Sequence, residues 1–398
     1  MNINGYKFSG IKAGIKKDGF DLGFIYSEKP ALCVAAFTKN LLKSNSIIVS
    51  KNHLKKTNHI RGIIVNSGCA NTACGINGIK NTEEICSILA KKLNFKKEEI
   101  LIASTGVIGE PLPTDKIIFN LDTLINSMSN DKNSILSFSR SIMTTDTKPK
   151  FIHKTFVLDG KKINILCFAK GAGMIAPKLE FNKHATMLVF LLTDLKLPYS
   201  LMSKIMKKII IPDFNSFSID GDTSPNDTIF FLSNGFIDIN LTYANIKTFI
   251  RNIKEICEKI ILKLLFDGEG VTKVIKLIIK NLSLKESLTV FNSISSSLLV
   301  KTAIHGADPN WGRILSVCGR SGVDFDINKI SIWIGKYQVV KNGNSNHIPD
   351  KYIRKEMQKK FYSIIIDFKK TKNQNNAYTF YTTDLSKKYV EINSMYKT

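Results

Sequence analysis

His184-Ala185-Thr186-Met187-Leu188-Val189-Phe190-Leu191-Leu192-Thr193-Asp194 sets a small residue and then a hydroxyl residue directly ahead of an apolar run of strand composition. The approach to it is Lys170-Gly171-Ala172-Gly173-Met174-Ile175-Ala176-Pro177. Glycine frees the backbone and proline removes a ladder donor, so the approach reads as a loop and the run as a buried strand. A self-cleaving precursor is expected to have this arrangement. If the Ala185–Thr186 bond breaks, Thr186 gains a free α-amine beside its own hydroxyl. Such an amine has a reference pKa of roughly 7.7–8.0, close to ambient pH, and can act as the base that activates the hydroxyl. The same residues also fit an ordinary strand that opens on a threonine, so the rest of the chain has to decide.

On either side of this run, short strand-like stretches alternate with amphipathic helices. Ala31–Phe37 and Gly62–Val65 read as strands, and the second leads into the Gly/Asn-rich loop Asn66–Gly75. Ile85, Leu89 and Leu93 recur at helical spacing within 82–93. Residues 99–103 read as a strand broken by Ser104-Thr105-Gly106-Val107-Ile108-Gly109, with a helix through about Leu124 after Pro111-Leu112-Pro113. Strands are expected near 151–158, 162–168, 330–334, 363–368 and 378–382, and helices over 200–209, 243–265 and 285–300. No GxGxxG is present and the order is not a Rossmann rhythm, so the class is α/β without a dinucleotide site.

The 398 residues exceed one typical domain. Lys and Arg number 57 against 33 Asp and Glu, a net charge of +24. These lysines are spread along the chain, often beside Ile and Asn as in Lys280-Asn281, which matches A/T-rich codon usage rather than a binding stripe. No recognised nucleic-acid motif accompanies the charge, so a basic nucleic-acid-binding protein is a reading motivated by charge alone. Seven cysteines without a CxxC pair or a histidine cluster argue for free thiols in a reducing compartment, with no metal site. The opening residues lack a signal-peptide core, and no apolar run approaches the ~20 residues of a membrane span, so a soluble cytoplasmic protein is expected.

Several segments carry polar chemistry, each with a structural reading beside it. Ser104–Gly109 suits an oxyanion hole or a capped strand-to-helix turn. Thr144-Thr145-Asp146-Thr147 offers hydroxyls to a ligand or to a helix end. Lys170 is either a carboxylate clamp or a surface lysine. Asp220–Thr228 is acid-rich but lacks calcium-loop spacing, which favours turn capping. Asp267-Gly268-Glu269-Gly270 suits recognition of an amine or a polar turn after a helix, and Gly306–Arg313 is a corner or a binding loop. The last residues, Tyr389 to Thr398, suit docking against the body of the protein or a frayed end.

Taken in order from Ser9 to the last residue, these segments resemble the ornithine acetyltransferase (glutamate N-acetyltransferase) family of arginine biosynthesis. The matching segments include Asn66–Gly75, Ser104–Gly109, Met143–Lys150, Lys170–Pro177, Ala185–Leu188, Asp220–Thr228, Gly268–Lys273, Asn310–Arg313 and Tyr381–Ser386. The resemblance implies a mixed α/β sandwich with a terminal-threonine nucleophile. It implies cleavage between Ala185 and Thr186 into an α chain, 1–185, and a β chain, 186–398, assembled as an α2β2 heterotetramer. Thr186 would take the acetyl group of N2-acetylornithine as an ester and pass it to glutamate in a ping-pong transfer. Thr105 and Gly106 match the family's oxyanion-hole pair, and Thr144, Lys170, Thr186, Glu269, Asn393 and Thr398 match its substrate-binding positions. No cofactor is implied. Some members also use acetyl-coenzyme A as a substrate to acetylate glutamate, and nothing in the chain separates the two cases. A hydrolase of the same nucleophile type, with water as acceptor, is the rival enzyme reading. The chain departs from the family pattern at Lys178–His184, which lengthens the distance from Pro177 to the cut, and at His305.

Overall fold

All eight residues of the strand Leu188–Leu195 are buried, because helices cover both faces of the sheet that contains it. A computed structural model describes residues 2–181, 187–370 and 376–395, with 179–181 described in backbone only. Ala185, Thr186 and Thr398 lie outside the described residues, as do 182–184 of the longer segment.

Among the described residues the first sheet has nine strands. Its strands are β1 (Tyr6–Ile11), β2 (Leu22–Thr38), β3 (His59–Cys69), β4 (Ile100–Val107), β5 (Lys150–Leu158), β6 (Lys161–Lys170), β7 (Leu179–Phe181), β8 (Leu188–Leu195) and β10 (Thr228–Ile237). The main path is β4-β3-β2-β10-β8-β6-β5, with β1 and β7 paired to β2. β8 runs parallel to β10 and antiparallel to β6. Side chains alternate across it. Val189 and Leu191 join Ile229, Phe231 and Cys167 under the helix Tyr243–Phe266, whereas Leu188, Phe190 and Leu192 meet Phe168 and Phe230 under the helix Lys132–Ser141.

The second sheet comprises β9 (Phe217–Ser218), β11 (Val274–Lys280), β12 (Ser331–Ile334), β13 (Tyr337–Lys341), β14 (Asn344–Ser345), β15 (Phe361–Asp367) and β16 (Ala377–Thr383). Their order across the sheet is β14-β13-β12-β15-β11-β16-β9. β15 alternates buried and half-exposed residues, as expected of a sheet covered on one face, and Phe291 from a covering helix stacks on Phe380 of β16 at 4.7 Å. No described helix is long and apolar enough to cross a membrane.

The strand expected to break at Ser104 instead continues to Val107. Gly68 and Gly106 face each other in β3 and β4 with φ of 102° and 133°, and a Cβ on Gly106 would lie 2.3 Å from the Gly68 carbonyl carbon. Two glycines thus let the backbones pass where side chains would collide. The single helix expected over 285–300 is two, Leu284–Ser295 and Leu298–Gly306. Ser297 takes the Val300 N–H onto its hydroxyl and starts the second helix as its cap. The helix expected at 82–93 begins at Gly75. The helix expected at 200–209 carries a π turn, Met206–Ile210, ahead of Pro212, which has no N–H for the i−4 ladder. Part of the longer segment has a place in the sheet: Leu179–Phe181 pair with Thr38–Ala36, on the side of β2 opposite β10.

Candidate active site

Thr105 and Gly106 stand at the end of β4, where the glycine contact with β3 fixes the backbone. Lys170 ends β6, and its Nζ donates to Thr105 Oγ1 at 2.8 Å. Thr105, Gly106, Thr144, Lys170, Glu269 and Asn393 line one cavity of about 230 Å³. All six described residues assigned to the site by sequence therefore meet, although they come from strands, loops and the helix Lys387–Met395.

A buried charge network holds the cationic wall. Asp146 accepts from the N–H groups of Gly171 at 2.8 Å and Thr144 at 3.0 Å, and it pairs with Lys150. Lys150 also pairs with Asp267. Burial opposes ionisation of Asp146, but Lys150, Lys170 and the Gly171 N–H together outweigh it and hold the carboxyl at about 2. Burial lowers the Lys170 ammonium from its usual range, with Asp146 acting against that shift. Thr144-Thr145-Asp146-Thr147 thus serves both readings, since Thr144 faces the cavity while Asp146 secures the start of the glycine-rich loop. Lys170 is half-buried against the cavity and is not a solvated surface lysine.

The anionic wall is Glu269, whose Oε2 accepts from Asn393 Nδ2 at 2.8 Å and whose N–H donates to Ala172 O at 2.9 Å. A Cβ on Gly173 would lie 2.4 Å from that carboxylate, so this glycine makes the room in which Glu269 sits. The docked reading of the last residues is correct as far as Asn393, because Tyr389 and Asn393 both line the cavity. Asp220 accepts from the N–H groups of Met174 at 2.6 Å and Ile175 at 2.8 Å, which makes it the capping group that the spacing suggested. Burial raises its carboxyl to about 6, with those N–H bonds opposing. His305 places Nδ1 2.8 Å from Asp384, which also accepts the N–H groups of Thr272 and Lys273 at 2.9 Å, so this departure from the family pattern braces the loop after Glu269.

A smaller cavity of about 30 Å³ adjoins the first and shares Thr105, Lys170, Gly173, Ser224 and Asn226 with it. Its far side is formed by Met187, Leu188 and Asp227. Thr228 N–H donates to Met187 O at 2.5 Å, which locks the start of β10 to the start of β8. Sequence reasoning missed Asn226 and Asp227. Asn226 Nδ2 donates to Ala70 O at 2.6 Å and Ser104 O at 2.7 Å, and its Oδ1 accepts from Thr72 at 3.1 Å, so one amide ties three segments behind the site. The one available signal was Asn226-Asp227 directly before an apolar strand, where buried polar groups need assigned partners.

The geometry offers a cation, a hydroxyl with an adjacent glycine N–H, and a carboxylate around a space suited to a small molecule with charged ends. Residues 7–398 match the ArgJ family. An "Arginine biosynthesis bifunctional protein ArgJ" of Thermotoga neapolitana is 36% identical over 403 residues, covering 99% of each chain. A "Glutamate N-acetyltransferase" of Methanocaldococcus jannaschii is 35% identical over 399 residues, covering 98% of this chain and 97% of its own. A solved ornithine acetyltransferase complexed with ornithine, from Mycobacterium tuberculosis, is 28% identical over 45% of this chain and 94% of its own, with a TM-score of 0.39. The match over nearly the full length shows that the chain belongs to the ArgJ family.

Proposed function

We propose that the chain is a glutamate N-acetyltransferase of arginine biosynthesis that moves the acetyl group of N2-acetylornithine to glutamate through an ester on Thr186. The observation that carries this reading is the single cavity in which Lys170 and Glu269 accompany Thr105 and Gly106, next to a smaller one that reaches Met187. Residue 186 is one peptide link, roughly 3.8 Å between Cα atoms, from Met187. Lys170 binds the substrate α-carboxylate and Glu269 the side-chain ammonium of the ornithine part. Thr105 and the Gly106 N–H stabilise the oxyanion that forms when the Thr186 oxygen adds to the acetyl carbonyl. The α-amine of Thr186 takes the hydroxyl proton and delivers it to the departing nitrogen, and ornithine leaves. Glutamate then attacks the ester, and N-acetylglutamate departs with the threonine restored.

In this reading the chain first cleaves itself between Ala185 and Thr186. The products, 1–185 and 186–398, assemble as an α2β2 heterotetramer in the cytoplasm. Thr144, Asn393 and Thr398 complete the substrate site, and acetyl-coenzyme A is an alternative acetyl donor. Mass spectrometry of the purified protein tests the central step. Two fragments are expected, the second beginning with threonine and gaining one acetyl group on incubation with N2-acetylornithine. Thr186→Ala should give one intact, inactive chain. An active intact 44.6 kDa chain would remove the terminal nucleophile, and ornithine release that does not need glutamate would make the protein a hydrolase.

A further inference from the structure

In the uncleaved chain the nitrogen of Thr186 is part of the peptide bond to Ala185. The base proposed for the mature enzyme is therefore missing at the step that creates it. Another group has to take the hydroxyl proton when the Thr186 oxygen adds to the Ala185 carbonyl carbon. Lys170 donates a hydrogen bond to Thr105, and Glu269 accepts one from Asn393 on the opposite wall.

Asp227 has a carboxyl oxygen available for that task. It is 2% exposed, and its Oδ2 has no hydrogen-bond partner among the described residues. A buried carboxyl oxygen left unpaired costs about 1–3 kcal/mol, so its retention calls for a reason. Asp227 lines the 30 Å³ cavity together with Thr105, Lys170 and Met187. A polar cavity of that size holds about two waters. The bond from Thr228 N–H to Met187 O ties the residue after Asp227 to Met187, which follows Thr186 in the chain. Asp227's own carbonyl accepts from Thr38 N–H at 3.1 Å, which pins it to β2 as well.

We propose that Asp227 is the base of self-cleavage, accepting the Thr186 hydroxyl proton directly or through water in the small cavity. This inference rests on the self-cleavage reading above. As the proton moves to the carboxylate, Thr186 Oγ bonds to the Ala185 carbonyl carbon. The C–N bond then breaks, the proton passes to the Thr186 nitrogen, and an Ala185–Oγ ester with a free α-amine results. Water hydrolyses the ester, leaving the Ala185 carboxylate and the threonine hydroxyl. From then on the amine serves as base.

Burial pushes the Asp227 carboxyl well above the usual carboxylate range, with Lys170 from β6 opposing and Asp220 adding to the shift. The ionised, proton-accepting form therefore becomes more populated as pH rises. Cell-free translation with labelled methionine, followed by gel analysis over time and across pH, reads the cleavage directly. The wild-type chain should cleave faster as pH rises, by up to about tenfold per unit below the Asp227 pKa. Asp227→Asn should cleave at least about 100-fold more slowly and without that pH rise. Asp227→Glu, which keeps a carboxylate, should retain the pH rise at a reduced rate, and it decides the matter if the Asn variant does not fold. Cleavage of Asp227→Asn at the wild-type rate, or a pH-independent Asp227→Glu, overturns the assignment. A wild-type chain that stays whole instead removes self-cleavage itself.

Discussion

The two sheets of this protein handle their edges and faces differently. In the first, β8 is buried along its whole length and strands of the same sheet carry site residues at one end, with Lys170 on β6, Thr105 and Gly106 on β4, and Asp227 just before β10. In the second, β15 alternates buried and half-exposed residues, and the sheet contributes to the site only through segments that flank it: Glu269 precedes β11 and Asn393 follows β16. The residues assigned to the oxyanion and the cation thus stand on a core packed from both sides, whereas those assigned to the substrate side chain stand on segments that flank the second sheet. Rigid placement is worth most where bonds change, since a misplacement of about 1 Å can cost on the order of 100-fold in rate.

The largest expected effect comes from the charge network behind the first sheet. Asp146→Asn removes the carboxylate that faces Lys150 and Lys170, leaving Lys150 paired with Asp267 alone, and should cost up to about 3–5 kcal/mol, read as a fall in melting temperature by calorimetry. The acid side tests the same group. Its carboxyl is held at about 2, below the roughly 3.9 of a free aspartate, so its contribution is fully present above roughly pH 4 and is lost as pH falls through about 2. That contribution is about 2 kcal/mol, and the wild-type stability should fall across that window with a slope the Asn variant lacks.

Lys170→Met comes next. It removes the donor to Thr105 and the only assigned cation of the substrate site, and should lower kcat/KM for acetyl transfer by roughly 10²–10³-fold in a steady-state assay. The smallest effect belongs to the second sheet. Phe291→Leu loosens the stack on Phe380 at a cost of about 1 kcal/mol, with transfer rates unchanged below the melting range. A kinetic defect in the Phe291 variant would show that the two sheets are mechanically coupled and would blur the contrast.

Much of the first sheet is legible in the chain because burial on both faces leaves an unbroken apolar run, as in Leu188–Leu192. β11 and β10 escaped that reading, the first led into by a glycine loop and the second by Asn226-Asp227-Thr228. The helix break at Ser296 escaped as well, because hydroxyl capping competes with a continuous apolar period. Six site residues could be named from ordered motifs, and they share one cavity. Asn226 could not, since its partners Ala70, Thr72 and Ser104 lie more than a hundred residues away.

Local chemistry is written in the order of residues: a hydroxyl before a buried strand, glycines where backbone must bend, and a carboxylate between glycines at Glu269. These follow from propensities and spacing that act over a few residues. Only the tertiary structure decides that Lys170 meets Thr105 across 65 positions, that Asn393 meets Glu269 across 124, and that Asp227 is buried without a partner for Oδ2 among the described residues. Each of those facts depends on strand register and on exclusion of water. Both are set by how the whole chain packs, which is why the charge states and contacts that make the site reactive could not be read from the motifs alone.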